Sequence, residues 1–124
     1  MVSMRSVSIV LFSCLVVSTN LVLAQKPRNG VYTYTIRWDE FDGKDLGNTC
    51  TVVVYGDSIK VVHNGKPNLT GKKGDVLVQG VILRHKSGKW IIAQSRKDIN
   101  ATEIGACGGG PIVIDFKRKV VWLC

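Results

Sequence analysis

The sequence predicts an all-β protein: a small antiparallel meander barrel, or a sandwich, of about seven strands behind a cleaved signal peptide. Three observations predict it. Apolar residues recur at period two or in short β-branched runs. Turn-forming residues separate those runs at hairpin spacing. No stretch carries a helical pattern of convincing length. A barrel is preferred over a sandwich because pairing the last strand with the first removes the exposed edges of a meander.

Residues 1–24 read as a leader. Arg5 is their only charge, 7–17 is a short apolar run, and Val22-Leu23-Ala24 suits a signal peptidase. Cleavage before Gln25 leaves 25–124 as a single domain, exported to the medium or the periplasm. Ser18, Thr19 and Asn20 interrupt the apolar run short of the roughly 20 residues a spanning helix needs. Phe12 and Ser13 make Cys14 a poor lipoprotein cysteine, and the mature chain has no apolar segment long enough to span a membrane.

The strands follow in order. From Val31, Tyr32, Tyr34, Ile36 and Trp38 alternate with Thr33, Thr35 and Arg37, so one face is buried. Residues 39–48 form an acidic, glycine-rich loop. Runs 50–55 and 58–63 flank Gly56-Asp57, a two-residue hairpin signal. Residues 64–74 are turn formers without periodicity. The stretch 75–95 holds two apolar runs around His85-Lys86-Ser87-Gly88-Lys89 and reads as a buried hairpin at the centre of the fold, with Gly80 expected at a bulge. A second long loop, 96–110, precedes a last hairpin of 112–116 and 119–124 turning at Lys117-Arg118.

Strands of a meander alternate in direction, so each connection belongs to one end of the molecule. One end takes the long loops 39–48, 64–74 and 96–110, the C-terminus, Trp38, His63 and the three cysteines of the mature chain. The other takes the short turns. Arg84, Lys86, Lys89, Lys117, Arg118 and Lys119 lie on or beside those turns, opposed locally by Asp57 and Asp115. With 17 basic and 9 acidic residues the chain carries a formal +8, and the leader would remove only Arg5. Such a surface selects anionic partners. His85 is expected to face solvent, His63 to be partly buried, and the large residues Tyr34, Trp38, Trp90 and Trp122 to fill the interior.

The loop Gly105-Ala106-Cys107-Gly108-Gly109-Gly110-Pro111 places a thiol before glycines whose N–H groups could form an oxyanion hole. It resembles the G-x-C-G-G nucleophile loop of viral chymotrypsin-like cysteine proteases and, more loosely, the G-D-S-G-G-P loop of their serine relatives. The resemblance covers these seven residues and implies Cys107 as nucleophile, for which His63 is the one base at the same end. Those enzymes build their site between two barrels, whereas this chain has room for one. The favoured reading is a disulfide, with Cys107–Cys124 the first choice, Cys50–Cys124 its rival, and one cysteine left over. Asp39, Glu40, Asp42 and Asp45 could gather around calcium, but their spacing is wrong for an EF-hand, and solvated loop acids are preferred. Asn68-Leu69-Thr70 and Asn100-Ala101-Thr102 match the N-glycosylation acceptor pattern. Nucleic-acid binding is disfavoured because the aromatic residues sit in core contexts.

The sequence thus points to an exported, non-catalytic binding module without a cofactor, whose basic surface engages an anionic envelope component or an acidic protein. The alternatives are an exported hydrolase inhibitor inserting loop 96–110, a small cysteine hydrolase using Cys107 and His63, and a lipocalin-like carrier. Oligomeric state, host and partner cannot be read from the chain.

Overall fold

A computed structural model describes residues 26–124. The leader expected over 1–24, Cys14 within it and the cleavage point at Gln25 lie outside the described residues. The chain forms β1 (Gly30–Trp38), β2 (Lys44–Tyr55), β3 (Ser58–Val62), β4 (Val76–Arg84), β5 (Trp90–Ala93), β6 (Ile112–Asp115) and β7 (Val120–Leu123), with short 3-10 turns at Asp39–Phe41 and Arg96–Asn100. The seven strands close in sequence order into one barrel. Every pair is antiparallel except the closing pair β1–β7, which is parallel, with Thr35 opposite Val120 and Trp38 opposite Leu123. An up-and-down meander with an odd number of strands returns its last strand in the direction of its first, so closure must be parallel.

Side chains alternate across each strand, and the inward set fills the barrel. Tyr34, Ile36, Cys50, Val52, Val54, Ile59, Val61, Ile82, Ile92, Ile114, Val121 and Leu123 form one buried cluster, joined from the β3–β4 loop by Leu69. Tyr32, Trp38, Leu77, Trp90 and Phe116 pack against it. Trp122 departs from the expected inward set. Val121 and Leu123 take the interior positions of β7, so the tryptophan between them faces outward. Four consecutive apolar residues leave both phases open, and pairing with β1 chooses one.

Strand β2 begins at Lys44, inside the segment expected to be loop. The β1–β2 hairpin closes tightly because Asp42 and Gly43 adopt φ of 56° and 73°, and Gly43 N–H donates to the Trp38 carbonyl at 2.9 Å. The register slips between Thr35 and Arg37, which lets Asp45 and Lys44 pair with Arg37 and Trp38. Gly80 does not mark the bulge. The irregularity lies where Val61 and Val62 face Val78 and Val76, with Leu77 as the extra residue. Gly80 instead permits close approach: a Cβ there would stand 2.4 Å from the Ala93 carbonyl oxygen.

The long β5–β6 connection also departs from expectation, because its first half does not stay at the loop end. It bends back along the outside of the barrel: Lys86 N–H donates to the Ile99 carbonyl at 2.8 Å. The cause is legible in β5, where Trp90-Ile91-Ile92-Ala93 is apolar throughout. Ile92 joins the interior, while Ile91 and Ala93, on the opposite face, are equally buried at 0% and 1% exposure. A strand apolar on both faces needs a cover on both, and the 96–101 segment supplies the outer one. The second half climbs back to the loop end, with Gly105 N–H donating to Pro111 O and Ala106 N–H to Asp39 Oδ2 at 3.0 Å.

Candidate functional site

Cys107 and Cys124 lie at disulfide-bonding distance, their Cα atoms 5.2 Å apart. A bridged sulfur is not a thiolate and cannot attack a carbonyl. Cys50 is the remaining thiol of the described chain and lies in the barrel interior. Burial pushes it up from 9.0 to about 12, which keeps it protonated and inert. Burial likewise raises Tyr34 to about 12, with Tyr32, Asp115 and Cys50 adding to the rise.

The two histidines are structural in the same way. His63 is buried; its Nδ1 accepts the Gly65 N–H at 2.8 Å, so Nε2 carries the proton and donates to the Leu69 carbonyl at 2.8 Å. His85 was expected in solvent and is 5% exposed. Its Nδ1 accepts from Ser87 N–H at 3.1 Å and its Nε2 donates to the Ala101 carbonyl at 2.8 Å. The returning 96–101 segment covers it. A general base needs a ring nitrogen with a free lone pair, and neither imidazole offers one.

Asp39, Asp42 and Asp45 do not gather. Asp39 Oδ2 holds the Ala106 N–H, Asp45 Oδ1 holds Gly47 N–H at 2.8 Å, and among the described residues no three metal-ligating side chains converge. Both sequon asparagines, Asn68 and Asn100, are exposed; the main-chain carbonyl of Asn68 accepts from Asn48 Nδ2 at 2.9 Å.

The turn end gathers what the short turns carry. The β4–β5 and β6–β7 turns flank β5 and β6, and Trp90 and Phe116 meet between them edge to face at 5.7 Å between ring centroids. The Arg84 guanidinium stands 4.3 Å from the Trp90 ring centroid and donates to Gly88 O at 3.2 Å. Lys119 Nζ lies 6.0 Å from the Tyr32 ring. Lys86, Lys89, Lys117 and Lys119 make no ion pair among the described residues. The nearby acids are engaged: Asp57 pairs with Lys26, and Asp115 Oδ1 accepts both Lys117 N–H at 3.0 Å and Arg118 N–H at 2.9 Å. Lys26 and Arg28 precede β1 and so lie at the same end. Reading only the turns missed them; the direction of β1 would have found them.

Two concavities accompany this surface. A groove of about 580 Å³ runs along the outer side of β6, between Trp122, the Ile104-Gly105 segment and the turn-end residues Lys89 and Arg118. A second, of about 510 Å³, opens at the barrel mouth between Trp38, Leu69, Leu77, Ile112 and Leu123. Below it the inward side chains pack into the buried cluster. No helix of the described residues is long and apolar enough to cross a membrane. The chain matches no family model, no curated protein and no solved structure.

Proposed function

We propose that the protein is an exported, non-catalytic binding module that holds an anionic envelope polymer, or an acidic protein, against its basic turn end. The observation that supports this most directly is the disposition of charge: unpaired lysines on two adjacent short turns, with the nearby carboxylates Asp57 and Asp115 already facing Lys26 and Arg118. Local neutralisation is therefore incomplete, and the end presents a positive field to incoming anions. Rigid turns on a closed sheet hold those cations at little further cost in conformational freedom.

The test is retention of the mature chain on an immobilised polyuronate, eluted with a salt gradient. Native protein should elute late, with affinity falling steeply as salt rises. Lys86→Glu/Lys117→Glu should weaken retention about tenfold at low salt with the fold intact by circular dichroism. Equal retention of the variant, or retention indifferent to salt, would overturn the reading.

A further inference from the structure

The groove beside β6 combines features that a purely electrostatic surface does not need. One wall is the indole of Trp122, outward-facing and only partly covered. Arg37 is its register partner on β1, so a further exposed cation flanks that wall. The floor includes Val113, the opposite side is Ile104-Gly105, and Lys89 and Arg118 stand at the turn end. Asp39 and Asp115 also line it. Asp39 commits only Oδ2, to the Ala106 N–H, so its other oxygen can accept from a ligand donor; Asp115 is engaged on both sides, Oδ1 by backbone N–H groups and Oδ2 by Arg118 at 3.9 Å.

We infer that this groove is a subsite for an acidic oligosaccharide, one sugar ring lying on Trp122, its carboxylate or sulfate held by Lys89 and Arg118, and a hydroxyl donating to Asp39. The inference rests on the basic-surface reading above and names the chemistry of one part of it. A pyranose has an apolar C–H face and a rim of hydroxyl groups, which matches an apolar wall bordered by an acceptor; an aromatic ring supplies such a wall with little conformational freedom to lose. The volume falls within the usual range of small-ligand sites. Nucleic acid fits less well, because a phosphate at every nucleotide would meet the two carboxylates as well as the two cations. Strand addition by an acidic peptide is blocked, since β6 is already paired with β5 and β7.

The experiment titrates trigalacturonate into the mature chain, following the indole N–H resonances of its 3 tryptophans by NMR and the heat by calorimetry. Saturable binding with the Trp122 resonance moving most is expected. Trp122→Ala and Lys89→Glu/Arg118→Glu should each weaken it at least about tenfold, and Trp122→Phe, which keeps a flat ring, should fold and bind within a few-fold of native. Lys86→Glu/Lys117→Glu, outside the groove, should weaken trigalacturonate binding less than Lys89→Glu/Arg118→Glu does, while reducing polyuronate retention. Equal binding of maltotriose, of an oligothymidylate or of triglutamate overturns the inference, as does a shift confined to Trp38 at the barrel mouth. If polyuronate is retained but trigalacturonate leaves Trp122 still, the groove proposal falls and the basic-surface reading stands. If neither binds, both fall.

Discussion

The two ends of the barrel use the same device for different purposes. At each, a buried neutral histidine accepts one N–H within its own turn and donates to a carbonyl of a longer segment: His63 to Leu69, His85 to Ala101. At the loop end this anchors Leu69 into the core cluster, where Asn48 and the Cys107–Cys124 bridge tie down further loop. Polar groups there are turned inward to order long connections. At the turn end the turns are short and order themselves, so His85 pins a segment arriving from the far end and the lysines remain in solvent. Loop length thus decides whether an end consumes its polar groups in folding or leaves them in solvent.

The sharpest way to break this comparison is to remove the loop-end histidine. His63→Leu leaves the Gly65 N–H and the Leu69 carbonyl unpaired, and we expect a loss of about 4 kcal/mol, at roughly 1–3 kcal/mol for each abandoned group, read by urea denaturation; the same change at His85, nearer the surface, should cost less. A loss at His85 equal to or larger than that at His63 would refute the ranking of the two ends. Next in size is Cys107→Ser/Cys124→Ser, which opens a 17-residue separation and should cost about 3 kcal/mol without changing polyuronate retention, because the bridge lies at the opposite end.

Alkaline titration probes the interior between the ends. The folded values of Cys50 and Tyr34 lie near 12, above their ordinary 9.0 and 10.0. Between these limits the unfolded chain releases protons that the folded chain retains, so stability present below about pH 9 is lost progressively as pH rises towards 12. Melting temperatures across that range should fall, and Cys50→Val should remove the part of the fall that begins near pH 9. The smallest effect on stability belongs to the turn end: Lys86→Glu/Lys117→Glu should shift unfolding by no more than about 0.5 kcal/mol while moving retention most. A large destabilisation would show that these lysines hold the fold together.

Much of this was legible from local chemistry. The alternation of Tyr34 and Ile36 with Thr33, Thr35 and Arg37, the Gly56-Asp57 turn and the short turns around Lys86 and Lys117 suffice for an all-β meander, and strand direction then groups the cysteines at one end and the six turn cations at the other. That grouping favoured Cys107–Cys124 but left Cys50–Cys124 as its rival; the burial of Cys50 inside the barrel separates the two. Misreadings occurred where local pattern is degenerate. Val120-Val121-Trp122-Leu123 is apolar in both phases, so the outward position of Trp122, and with it the aromatic wall of the groove, depends on register with β1. Asp45 and Lys44 look like loop and become strand because Arg37 and Trp38 need partners.

By itself the sequence determined the fold class, the closing logic of the barrel and the location of charge, because period two, turn residues and strand direction act over a few residues at a time. Only the tertiary structure decided the burial of His85, the outward face of Trp122 and the return of the 96–101 segment. Each of these depends on which distant surface an apolar face finds to cover it, and a strand such as β5, apolar on both faces, states that need without naming the segment that meets it.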